Sequence, residues 1–146
     1  MRRLLLGSLL VSAVPCSDLA QAPIPTDPVG IVREYVAAQN RGDVDHMLTL
    51  VADPAEIHFG LSNPSPTGGV ASENHSQLRA RFTRIVKSLP NARTEVLEVI
   101  SNGSVVVTKE HTTGLPGDGS DTGVAMYRVR SGKIDLLWLV SSLSGS

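Results

Sequence analysis

The sequence contains few aromatic residues and a single cysteine. Its 146 residues include one Trp, two Tyr and two Phe, so Val, Leu, Ile and Ala must fill most of the interior. The cysteine, Cys16, lies close to the N-terminus. The remainder of the chain therefore has neither a disulfide nor a thiol nucleophile.

Basic residues are neither in excess nor clustered. Thirteen Lys and Arg stand against fourteen Asp and Glu, which gives a formal net charge of −1. A surface that binds nucleic acid needs a basic stripe, and the sequence provides none. We therefore predict no nucleic-acid partner. The main apolar run, residues 4–14, is too short to cross a bilayer comfortably, so we expect no stable membrane span.

Residues 1–22 have the pattern of an export signal. Arg2 and Arg3 supply a positive end, residues 4–14 supply the apolar stretch, and residues 20–22 match a small-x-small cleavage site. The pattern predicts that residues 1–22 are a signal peptide and that the protein is secreted or periplasmic.

Lipid attachment at Cys16 is the weaker alternative to simple cleavage. Pro15 stands where lipoprotein signals place a small residue, which disfavours it. Residues 23–28 are rich in proline and read as a flexible linker. Residues 29–143 are then a single domain, in keeping with the length of the chain.

The domain is predicted to open with two helices in tandem. Asp27 is a typical N-cap residue, and Pro28 suits the first helical position because its missing N–H would be unpaired there anyway. Residues 40–42 end the first helix, and Asp43 caps the second. Asp53-Pro54 is expected to end the second helix.

The rest of the domain is predicted to be one strand, one helix and then strands only. Apolar and polar residues alternate over 56–61, and residues 73–88 carry one apolar face at helical spacing. Turn residues separate four further strands, at 94–100, 105–113, 124–130 and 134–142. This order predicts an α+β domain with its helices on one face of an antiparallel sheet.

The last strand is apolar on both faces. Its alternation predicts Leu137 and Leu139 on one face, and on the other Ile134, Leu136, Trp138 and Val140. Helices can cover only one face, so the other would be left as an exposed apolar patch. We therefore expect a homodimer formed through the sheet face that carries Trp138.

Two segments resemble the nuclear transport factor 2 superfamily, which includes steroid Δ-isomerases and SnoaL-like polyketide cyclases. Residues 31–45, IVREYVAAQNRGDVD, together with 48–53, resemble its opening helices. Residues 127–138 resemble the last hairpin of its SnoaL-like members. The resemblance implies a cystatin-like cone, in which a curved antiparallel sheet wraps three N-terminal helices around a pocket.

The resemblance matches only part of the catalytic residues of the steroid isomerases. In the steroid isomerases a Tyr and a protonated Asp polarise the substrate carbonyl while a second Asp moves the proton. Tyr35 falls at the position of that Tyr, but the proton-moving Asp falls on Phe59 and the neutral acid on Ala125. Steroid isomerisation by that route is therefore not expected.

We predict that the cone binds a small apolar molecule without a metal or a cofactor. The histidines lack the spacing of a zinc helix. The expected pocket residues are Phe59, Ala125, Tyr127, Leu137 and Leu139.

Two alternatives to simple binding stay open. The first is an isomerase, a cyclase or a hydrolase in which Tyr35 acts with His111 or Glu110. Glu110 and His111 are adjacent on one strand and point to opposite faces, so only one of them can reach the pocket. The second alternative is a non-catalytic dimeric interaction module whose pocket is filled by side chains.

Overall fold

The computed structural model describes residues 26–59 and 72–141. The predicted signal segment lies outside these residues. Within them the chain forms three helices, six strands and one short turn of 3-10 helix at Pro116–Asp118. The helices and strands are α1 (Pro28–Arg41), α2 (Val44–Leu50), β1 (Val51–Phe59), β2 (Ser72–Glu73), α3 (His75–Ser88), β3 (Arg93–Asn102), β4 (Val105–Leu115), β5 (Gly119–Arg130) and β6 (Lys133–Ser141).

Side-chain caps begin α1 and α2 where the sequence predicts them. The Asp27 carboxylate accepts a hydrogen bond from the Gly30 backbone N–H at 2.8 Å, and Asp43 accepts one from His46 N–H at 3.0 Å. Gly42 ends α1 in the left-handed conformation, with φ of 69°. None of the helices within the described ranges is long and apolar enough to cross a membrane.

The third helix begins two residues later than predicted. Asn74 accepts a hydrogen bond from the Gln77 backbone N–H, and the Gln77 side chain accepts one from the Asn74 N–H, which completes a capping box. Glu73 consequently belongs to β2, where its carboxylate pairs with Arg81. The box fixes the start of α3 at His75.

The prediction that Asp53-Pro54 ends the second helix is wrong. Helix α2 ends at Leu50, and Val51 has extended backbone and pairs with Ile134 of β6. Asp53-Pro54 therefore lies inside β1, at an irregularity in the pairing with β6. The buried Val51 fits the apolar spacing of a helix and of a strand equally well, so the pattern alone did not separate the two.

The sheet has the strand order β2-β1-β6-β5-β4-β3. Strands β3 to β6 form the predicted antiparallel meander. Strand β1, however, pairs with β6 in parallel, so the sheet is mixed and not wholly antiparallel. The chain crosses over through α3 to the far edge of the sheet, and the meander then returns β6 beside β1 in the same direction.

Two of the β-bulges bend the sheet and change which residues face inward. Leu97 is an extra residue in β3, and Asp135 is an extra residue in β6. Because of the second bulge, Ile134 is fully buried on the inner face with Leu137. Its predicted position beside the exposed Trp138 is therefore wrong.

The end of α1 is tied directly to the sheet. The Asn40 side chain donates to the Thr94 carbonyl at 2.8 Å and accepts from the Thr94 N–H at 2.7 Å. These two bonds hold α1 against the start of β3. Nearby, Gly114 lies so close to Asn91 that a Cβ atom would come within 2.1 Å of the Asn91 carbonyl oxygen. The fold is thus an α+β cone whose concave face packs on the helices.

Candidate functional site in the cone

The cone contains a cavity of about 470 Å³ between α1, α3 and the concave face of the sheet. We refer to it as the cone cavity. Most of its lining is apolar, and the residues concerned are Met47, Phe82, Ile85, Val86, Leu89, Ala92, Leu115, Leu137 and Leu139. Burial along β4 decreases from Val106, at 0% exposure, to the exposed Gly114, so the cone is closed at one end and open at the other.

A carboxylate lies in this apolar lining. Glu110 is only 7% exposed, and its Oε1 atom accepts two hydrogen bonds, from the Tyr127 hydroxyl at 2.8 Å and from the Thr108 hydroxyl at 2.6 Å. Its Oε2 atom accepts none from the described residues. Every fully buried side-chain oxygen or nitrogen in the described part of the chain has a hydrogen-bond partner. Because Oε2 has none, it is not fully buried, and it is open to the cone cavity.

Two tyrosines stand beside this carboxylate. The ring of Tyr35 packs edge-on against Tyr127 and against Phe82, with 6.2 Å between ring centroids in each pair. Burial, and secondarily the negative charge of Glu110, raises the pKa of both tyrosines well above its usual value. Both hydroxyls therefore keep their protons at neutral pH and can donate hydrogen bonds.

The remaining polar lining lies toward the open end. It consists of Gln39, Thr94, Thr112 and Asp121. Asp121 is the second carboxylate of the lining, after Glu110. The described lining residues include no Lys, Arg or His. No group of three or more His, Cys, Asp and Glu in the described ranges could hold a metal ion.

The structure brings together five of the residues singled out from the sequence. Tyr35, Glu110 and Tyr127 share the cone cavity, which Leu137 and Leu139 also line. His111 points to the other face of the sheet, where its Nδ1 atom is 2.9 Å from the Thr122 hydroxyl. Of the two adjacent residues on β4, Glu110 is therefore the one that reaches the cavity.

Of the two other predicted pocket residues, one lies outside the cavity lining and the side chain of the other is not described. Ala125 faces inward and is fully buried, but it packs in the core and does not line the cavity. The backbone of Phe59 ends β1, and its side chain is outside the described part of the structure.

Glu110 on β4 lies close to Ala125 of β5, the residue that stands where the steroid isomerases have their neutral acid. In the pairing of β4 with β5, Thr108 lies opposite Ala125, and Glu110 lies opposite Gly123, one inward-facing step further along. The family's neutral acid falls on Ala125 by resemblance. In this chain, Glu110 places a carboxylate on the adjacent strand instead.

The sequence analysis did not identify Thr108, which donates a hydrogen bond to Glu110, or the polar residues at the open end of the cavity. Thr108, Glu110 and Thr112 share one parity on β4 and so face the same way, which is the signal that could have found them. Both faces of β4 mix apolar and polar residues, so the alternation alone did not single out this set.

The two raised pKa values predict how stability depends on pH. The unfolded chain loses its tyrosine protons near pH 10, before the folded protein does, so the free energy of unfolding should fall above about pH 10. The slope should be about 1.4 kcal/mol per pH unit for each tyrosine. Denaturant unfolding at several pH values measures it, and Tyr35→Phe should remove about half of the slope. Absorbance of tyrosinate near pH 10 in the folded protein would contradict the assignment.

Comparison with known proteins places the fold. No curated protein matches this chain. Among solved structures, a cystatin-fold protein from Novosphingobium aromaticivorans is 21% identical, with a TM-score of 0.65 over 79% of this chain and 98% of the other. An NTF2-like protein from Mesorhizobium loti is 18% identical, with a TM-score of 0.63 over 79% and 90%. A SnoaL-like polyketide cyclase from Agrobacterium tumefaciens is 19% identical, with a TM-score of 0.62 over 80% and 92%.

The family comparison is more specific than these structural neighbours. The SnoaL-like domain matches residues 32–136, which run from the second turn of α1 into β6. This range contains Tyr35, Glu110 and Tyr127 and most of the lining of the cone cavity. The chain belongs to the SnoaL-like domain family.

Proposed function

We propose that this domain binds a small, mainly apolar molecule in the cone cavity. The observation that carries the proposal is the volume of about 470 Å³, which falls within the range of ligand sites, roughly 300–1,000 Å³. An apolar wall with a few polar groups at defined places is the usual make-up of such a site. The same volume counts against an interaction module whose interior is filled by side chains.

Filling the cavity should weaken binding. Ile85 lines the cavity on α3, whereas Arg84, its neighbour in sequence, is exposed. We expect the neutral fluorescent ketone prodan to bind the unmodified domain and Arg84→Trp with one-to-one stoichiometry. Ile85→Trp should weaken binding by at least about tenfold, because an indole would occupy the ligand's space. Equal affinities of the two variants in a fluorescence titration would argue against the cone cavity as the site.

A second candidate function is proton transfer, and Glu110 is the observation that favours it. A carboxylate in an apolar cavity, with one oxygen open to that cavity, can act as a general base on a carbon-bound proton. The Tyr35 hydroxyl also lines the cavity and could donate a hydrogen bond to the carbonyl oxygen of the same substrate. Isomerases and cyclases both begin with such a step.

Exchange of α-protons in a model ketone tests this candidate. We expect the domain to accelerate deuterium uptake by β-tetralone in heavy water, followed by NMR. Glu110→Gln should lower the acceleration by roughly 10²–10⁴-fold, because the amide keeps the shape but cannot take the proton. Glu98→Gln, which alters an exposed carboxylate paired with Lys109, is the matched control. An unchanged rate in Glu110→Gln would remove the candidate.

Homodimer formation through the outer face of the sheet stays a prediction, and the structure supports it. Register partners on successive strands form an apolar row that we call the outer stripe, made of Ile100, Val107, Met126 and Trp138. Trp138 is 41% exposed and Ile100 is 70% exposed, and the His58 ring lies 6.3 Å from that of Trp138. Such a row on a solvated sheet face favours association.

Light scattering after size-exclusion chromatography tests the dimer. We expect a dimer at micromolar concentration and a shift to monomer in Trp138→Glu, because the added charge would be buried in the interface. Ser120→Glu places the same charge at another exposed position and should leave the mass unchanged. A monomeric unmodified protein at tens of micromolar would overturn the prediction.

A further inference from the structure

The electrical character of the cone cavity restricts what can enter it. The lining contains the carboxylate of Glu110, whose two hydrogen-bond donors are neutral hydroxyls, and the described lining residues include no cationic side chain. A ligand carboxylate or phosphate would lose its hydration there and meet a like charge instead. The lining therefore disfavours anions, including fatty acids, although its walls suit their hydrocarbon tails.

The hydrogen bonds of Glu110 indicate which kind of ligand group the cavity favours over an anion. Oε1 already accepts hydrogen bonds from two hydroxyls, whereas Oε2 has no donor in the described structure and is open to the cavity. A ligand that fills the cavity also removes water from Oε2. The carboxylate then needs a donor from the ligand itself, because an unpaired buried charge is strongly destabilising.

Aromatic rings next to the carboxylate suit a positively charged donor. Tyr35, Phe82 and Tyr127 all line the cavity, and the ring of Tyr35 touches both of the others. Aromatic faces attract ammonium groups, and the attraction is larger where water is excluded. An ammonium would thus meet a carboxylate oxygen and aromatic rings among the lining residues of one cavity.

We propose that the ligand is a hydrophobic amine, whose ammonium group pairs with Glu110 while its hydrocarbon body fills the apolar part of the cone cavity. This inference rests on the binding function proposed above and names the chemical class of its ligand. It also separates the two candidate functions, because a carboxylate that is ion-paired with the ligand is not free to take a proton from carbon.

Three probes with one hydrocarbon body test the proposal. Adamantylmethylamine, adamantylmethanol and adamantane carboxylate differ in their polar group and are compared by isothermal titration calorimetry. We expect the amine to bind at least about tenfold more tightly than the alcohol, and the carboxylate to bind most weakly. Glu110→Gln should bring the amine and the alcohol to within about threefold of each other, mainly by weakening the amine. Glu98→Gln, on the outer face, should keep the preference.

The outcomes distinguish this inference from the function on which it rests. If the alcohol binds as tightly as the amine, or if the preference survives in Glu110→Gln, the ligand class is wrong while binding of apolar molecules stands. If the carboxylate binds most tightly, the electrostatic argument is wrong. If none of the three probes binds, both the ligand class and the proposed binding function are contradicted.

Discussion

A carboxylate buried in an apolar cone is the constraint on which the rest of this site depends. Glu110 can keep its place there because Tyr127 and Thr108 both donate to one of its oxygens. The negative charge in turn helps to keep the two tyrosines protonated, so they act as donors and not as competing anions. The second oxygen is left open to the cavity, and this open acceptor determines which ligands the cone would accept.

The cavity exists because the helices do not fill the cone that the sheet encloses. Bulges at Leu97 and Asp135 bend the strands, and the Asn40 side chain fixes the end of α1 to the start of β3. Phe82 is buried against Tyr35, but the later turns of α3 are only partly covered. An apolar space therefore remains next to a polar group.

The two faces of the sheet differ in chemical character. Inward-facing residues of β4 and β5 form much of the polar part of the cone cavity, whereas the outer stripe is an apolar row that a second copy of the chain could cover. Family membership does not choose among binding, catalysis and assembly, since one scaffold supports all three. Glu110, on β4 near Ala125, shows how a single side chain changes the chemistry of the cone without changing the fold.

The sequence by itself determined the fold class, the caps Asp27 and Asp43 and the antiparallel meander, because these follow from local spacing, capping and turn residues. It reduced the choice on β4 to Glu110 or His111 but could not decide between them. Only the tertiary structure decided that choice, the parallel pairing of β1 with β6 and the inward position of Ile134. The physical reason is that a single extra residue in a strand reverses which side chains face the core, and strand partners far apart in sequence leave no local pattern.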